Sequence, residues 1–134
     1  MASPAYLQQH GTPASVAELR AHTLLGFNEP DSLNHWPLPG DTDALLHVRP
    51  AVAVSSGETL RALALQGVGI VCLSDFMTHR DRQAGELVQL LPALTLEVRQ
   101  PIHAVYYRNT AVSARISSFL DHLAAAMVGE PYVR

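Results

Sequence analysis

The sequence predicts an α/β fold built on a parallel sheet, and three observations carry that reading. Ala51-Val52-Ala53-Val54, the helical stretch Thr59 to Gln66 and the apolar run Val68 to Leu73 give strand, helix and strand in close succession. A parallel pair needs a crossover of that kind. Elsewhere, short apolar segments bounded by Pro, Gly and Asp alternate with short helices announced by capping residues. Lastly, Val112, Ile116, Phe119, Leu120, Leu123 and Met127 recur at helical spacing near the C-terminal end.

The elements follow in order. Ser3 before Pro4 caps a first helix, because proline at the first helical position sacrifices no needed N–H; it runs to His10 and Gly11 ends it. Ser15 with Glu18 three residues on is a capping box for a second short helix through Leu19 towards His22. Leu24 to Asn28 reads as a strand closed by the turn Glu29-Pro30-Asp31. His35 to Leu38 is an edge strand, since Pro37 cannot donate to a ladder. Leu45 to Val54 has strand composition interrupted at Pro50, and Ser55 with Glu58 forms a second capping box for the Thr59–Gln66 helix, which Gly67 ends. A helix starts at Ser74-Asp75, and Gly85 marks a turn. Leu87 to Leu91 and Leu94 to Val98 are strand candidates around Pro92, Pro101 to Tyr107 is a stronger one, and the last helix covers Ser113 to Met127.

With 134 residues, 48% of them hydrophobic and 16% charged, the chain is globular and buries a real core. Its net charge is −3, and its nine basic residues are all arginines set singly along the chain. Binding the phosphate backbone requires clustered cations, so direct nucleic-acid binding is not expected. No apolar run approaches the ~20 residues that span a bilayer. Cys72 is the single cysteine, set in an apolar run as a buried inert thiol, so no internal disulfide forms. One unpaired cysteine and no cleavable signal point to the cytoplasm.

Searching for chemistry returns little. Ser55 and Ser56 lack the flanking glycines of a nucleophile elbow, and without lysine there is no phosphate-binding loop. Gly67-Val68-Gly69 follows a helix and precedes a strand, the reverse of a dinucleotide fingerprint. The histidines at 10, 22, 35, 47, 79, 103 and 122 show no helical pairing and have no neighbouring cysteines, so neither a metal nor a cofactor is expected. What remains is Ser55-Ser56-Gly57, where hydroxyls and helix-start N–H groups converge after a parallel strand. That corner suits a carboxylate or another small anion; equally, both serines can serve only as caps.

Taken together, these segments resemble the effector-binding domain of LysR-type transcriptional regulators. The match runs in order through Ala2-Ser3-Pro4-Ala5-Tyr6-Leu7, His10-Gly11-Thr12-Pro13, and Leu19 with His22 and Leu24. It continues through Val54-Ser55-Ser56-Gly57-Glu58-Thr59-Leu60, Gly67-Val68-Gly69-Ile70, and Gly85-Glu86-Leu87-Val88 to Leu91-Pro92. It closes on Ile102 to Tyr106 and Arg115 to Leu123. The resemblance implies a type 2 periplasmic-binding-protein-like fold of two subdomains, with an inducer held between them. Residues 1–98 would be mostly the second subdomain, and 99–134 the hinge strand and C-terminal helix returning to the first. The implied function is inducer sensing, not catalysis, in a homo-oligomer that reaches DNA through an N-terminal domain outside this chain. Ser55, Ser56 and Gly57 match the polar turn facing a small, anionic inducer. Phe27 is a further candidate contact, with a plain core aromatic as its alternative. The family often has Asn or Asp where these serines stand, so the inducer's identity does not carry over. The competing classes are a solute-binding protein of the same bilobed fold, for which an export signal is missing, and a small α/β enzyme, for which a catalytic cluster is missing.

Overall fold

The computed structural model describes residues 1–41, 44–101, 103, 105 and 114–129. The chain divides into two compact units, Met1–Val98 and Arg99–Arg134. In the second unit the described element is a helix, Ala114–Met127, where the apolar periodicity placed it. The expected strand Pro101 to Tyr107 falls largely outside the described residues.

The first unit opens with α1 (Pro4–His10) and α2 (Val16–Leu19), both capped as the sequence reads. Ser3 Oγ accepts from the Tyr6 N–H at 3.3 Å and Ser15 Oγ from the Glu18 N–H at 3.2 Å. Next come β1 (Leu24–Phe27), a 3₁₀ turn (Asp31–Asn34), and the antiparallel pair β2 (His35–Pro39) and β3 (Leu45–His47). Pro50 divides the 45–54 stretch as its missing N–H requires, so that β3 pairs with β2 while β4 (Val52–Val54) joins a different sheet. Then follow α3 (Gly57–Leu65), β5 (Ile70–Val71) and α4 (Asp75–Gln83).

The main sheet is parallel, in the order β4-β1-β5. The expected β4-α3-β5 unit is therefore present, but its strands are not neighbours, because β1 lies between them. Strict alternation on this sheet makes two cores. Leu24 and Ile70 pack with Tyr6, Leu19, Trp36, Leu38 and Leu46 in one cluster. Leu25 and Val71 pack with Leu60 and Ala64 of α3 in the other, with Phe27, Val52, Val54 and Leu73 against it.

Three expectations about elements change. The run Val68 to Leu73 shrinks to Ile70–Val71 because its start is spent on ending α3. The Val68 N–H bonds to the Leu63 carbonyl and the Gly67 N–H to that of Ala64, a Schellman closure with Gly67 at φ 76°. Leu87 to Leu91 is not a strand: Val88 makes one antiparallel bridge, to Ala2. Leu94 to Val98 is not a strand either. Leu91 adopts a left-handed φ of 51° and Pro92–Leu94 winds into a 3₁₀ turn, so no ladder can continue through Pro92. The Leu96 N–H donates to the Pro37 carbonyl at 2.8 Å, tying the segment to β2. Among the described residues no helix is long and apolar enough to cross a membrane.

Candidate functional site

The carboxyl ends of β1 and β4 lie side by side, with Phe27 opposite Val54 and the Asn28 N–H bonded to the Val54 carbonyl at 3.1 Å. Phe27 is thus brought next to the Ser55-Ser56-Gly57 turn, although its own side chain is half-buried against the α3-side core.

The edge of β1 facing β5 runs out of partners, since β5 reaches only Val71, opposite Leu25. Asn34 replaces the missing strand. Its Oδ1 accepts from the Phe27 N–H at 2.9 Å, and its Nδ2 donates to the Phe27 carbonyl at 2.8 Å. Asn34 is buried, and Gly26 makes room for it: a Cβ there would lie 2.6 Å from Asn34 Oδ1. Sequence reading missed Asn34, because an asparagine just before a strand looks like ordinary turn chemistry.

The second capping box does not form. Ser56, not Ser55, occupies the cap position of α3, and its side chain makes no cap bond. Glu58 points elsewhere, its Oε2 accepting from Arg61 Nη1 at 3.5 Å. Both serines are exposed, and neither hydroxyl is engaged among the described residues. The first N–H groups of any helix lack intrahelical acceptors and carry the positive end of its dipole. Unspent hydroxyls and unspent N–H groups therefore share one exposed corner at the carboxyl edge of a parallel sheet, where ligands sit in open α/β folds.

Two contacts hold that corner in place. Ideal Cβ geometry at Gly57 would put a carbon 2.8 Å from Met77 Cε, so the start of α3 packs directly on α4. One turn further on, Arg61 Nε and Nη2 donate to the two carboxylate oxygens of Asp81, each at 2.6 Å. The paired carboxylate holds the Arg61 guanidinium well above its ordinary range. Sequence patterning could not reveal this pair, since nothing local links residue 61 to residue 81.

The remaining chemistry is sparse. Cys72 is packed against the core, and burial pushes its thiol up from the ordinary value. His22 Nδ1 lies 3.2 Å from Tyr6 Oη, and His35 and His47 meet across β2 and β3 with ring centroids 4.8 Å apart. Among the described residues, no three His, Cys, Asp or Glu side chains form a metal-holding group.

Comparison with known proteins decides the family. The LysR substrate binding domain model matches residues 1–128. This chain belongs to the LysR substrate-binding domain family. The regulator CrgA of Neisseria meningitidis serogroup B is 47% identical over 123 residues, covering 92% of this chain and 41% of CrgA. The activator TtdR of Escherichia coli K12 is 32% identical over 126 residues, with 92% of this chain and 40% of TtdR covered. The chain thus spans about two fifths of the curated regulators that it matches. Among solved structures, the regulatory domain of CrgA from Neisseria meningitidis superposes with a TM-score of 0.88 at 46% identity, over 93% of this chain and 61% of that one. The regulatory domain of AphB from Vibrio vulnificus, at 22% identity and a TM-score of 0.66 over 93% of this chain and 62% of that one, shares the fold. The type 2 periplasmic-binding-like architecture implied by the sequence motifs is therefore the fold of this LysR domain.

Proposed function

We propose that this chain is the inducer-sensing part of a cytoplasmic LysR-type transcriptional regulator, and that Ser55, Ser56 and Gly57 take a small anionic inducer beside Phe27. In this reading Met1–Val98 is the second subdomain and Arg99–Arg134 the returning hinge and helix. The regulator assembles from several copies, acts without catalysis, and contacts DNA through a domain outside this chain.

The observation that carries the proposal is the unspent corner: two exposed serine hydroxyls at the start of α3, neither used as a cap. A carboxylate placed there gains charge-assisted bonds and the helix dipole, each favourable for a negative group. The test is Ser56→Ala in the full regulator, read by inducer-dependent transcription and by stability. Inducer response should fall. Stability should change by less than ~1 kcal/mol, because the substitution removes no cap bond of the kind that costs about 0.5–2 kcal/mol to lose. An unchanged response, or an unfolded variant, would defeat the assignment.

A further inference from the structure

Gln89, Leu90, Leu91 and Thr95 form one wall of a cavity of about 170 Å³, and Trp36 and Pro37 of β2 form another. This segment is anchored at its start, where Val88 and Ala2 exchange backbone hydrogen bonds at 2.8 and 3.1 Å. Leu90 is buried in the adjoining core cluster, and Leu91 is half-buried against it. From Pro92 onwards the character changes. Residues 92–96 are all exposed. Among the described residues, and apart from bonds to Leu91, one hydrogen bond joins them to the rest of the chain, from the Leu96 N–H to the Pro37 carbonyl at 2.8 Å. Few buried apolar contacts and little cross-bonding are the marks of a segment that opens locally.

Leu91 supplies a pivot. Its φ of 51° lies in the left-handed region, which is unfavourable for a residue carrying a Cβ. Its carbonyl accepts from the Leu94 N–H and from Thr95 Oγ1, each at 3.0 Å. Rotation about the N–Cα bond of Leu91 carries that carbonyl along with everything after it, so the turn 92–95 moves as a braced unit and keeps both bonds. Such a rotation breaks the Leu96–Pro37 bond and shifts the half-buried Leu91 side chain. In return it releases the left-handed conformation, an effect of the same order as one hydrogen bond. We propose that residues 92–96 are a strap, pivoted at Leu91 and latched by Leu96 on Pro37, which opens without unfolding the core and admits small molecules to the cavity beside Trp36. The inference rests on neither the inducer-sensing role nor the serine corner.

Trp36 is the single tryptophan and only 3% exposed, so its quenching by acrylamide in the 134-residue chain reports opening. Acrylamide is neutral, and the Met1 ammonium, Asp75 and Arg82 that line the cavity do not bias its entry. Leu96→Pro deletes the latch donor from an exposed position, and Thr95, at φ −70° and ψ 120°, already has the backbone that a residue before proline adopts. Leu91→Ile keeps the apolar volume but branches at Cβ, which disfavours the left-handed pivot further. Each variant should raise the Trp36 quenching constant about fivefold, the effect of one hydrogen bond on the open population, with the far-ultraviolet circular dichroism unchanged. Leu94→Ala, which touches neither pivot nor latch donor, should leave quenching as it is. In the unaltered chain the Leu96 amide should exchange well ahead of the Ile70 amide, which is bonded to the Thr23 carbonyl, and at a rate that low urea does not change. Unchanged quenching in Leu96→Pro or Leu91→Ile, an equal rise in Leu94→Ala, or Leu96 exchange no faster than that of Ile70 would each overturn the proposal.

Discussion

Replacing Arg61 by leucine would strand the Asp81 carboxylate, whose side chain is only 4% exposed, whereas replacing Asp81 by alanine would leave an Arg61 side chain that is 31% exposed. The two changes delete the same pair of 2.6 Å hydrogen bonds but should not cost the same. A carboxylate with no partner and little water pays the desolvation penalty in full, so Arg61→Leu should lose about 3–5 kcal/mol. A guanidinium one-third open to solvent rehydrates and still has Glu58 at 3.5 Å. Asp81→Ala should therefore lose only the charged hydrogen bonds, about 1.5–3 kcal/mol. The double variant removes the stranded charge, and it should be more stable than Arg61→Leu alone. Urea unfolding followed by Trp36 emission and far-ultraviolet circular dichroism measures all three, as midpoint shifts at constant slope. Equal losses for the two single variants, or a milder loss for Arg61→Leu, would show that the pair is not held by burial of Asp81. A double variant no better than Arg61→Leu would refute the stranded-charge account.

Three other expectations follow from close packing and burial. Gly69→Ala would place a carbon 2.4 Å from the Thr23 carbonyl oxygen, which accepts the Ile70 N–H. Backbone cannot step aside as a flexible side chain can, so thermal or urea unfolding should register a loss of about 2–4 kcal/mol. The Cys72 thiol, raised by burial, should react with a thiol-exchange reagent on the order of tenfold more slowly than free cysteine at neutral pH, until denaturant is added. Since its folded pKa exceeds the unfolded one, the native state keeps that proton longer. Its contribution to stability is then present at neutral pH and falls as pH rises past the ordinary thiol value; a Cys72→Ala variant lacking this alkaline slope would confirm the source.

How far the sequence reaches is set by the range of the interaction that fixes each feature. Ser3, Ser15, Gly11 and Gly67 act on atoms a few residues away, so both ends of α1, the start of α2 and the end of α3 are close to where these residues place them. The 3.6-residue period of the last helix and the proline break at 50 are local in the same sense. The ordered motifs from Ala2-Ser3-Pro4 to Arg115–Leu123 also carried the family, because side chains that meet a common backbone geometry recur at fixed spacing.

What the sequence could not decide is anything settled by partners distant in the chain. Leu87 to Leu91 has strand composition, yet a strand needs a neighbour in register, and among the described residues only Ala2 bridges it. Ser55 and Glu58 have the spacing of a capping box, but Arg61 draws Glu58 away and the cap passes to Ser56 with its hydroxyl unused. The insertion of β1 between β4 and β5 and the Arg61–Asp81 clamp join residues well separated in sequence, and the Asn34 amide that completes β1 reaches back seven residues to Phe27, more than one turn. Burial and hydrogen-bond satisfaction are properties of the packed chain, and a local pattern fixes them only where donor and acceptor lie within a turn of each other.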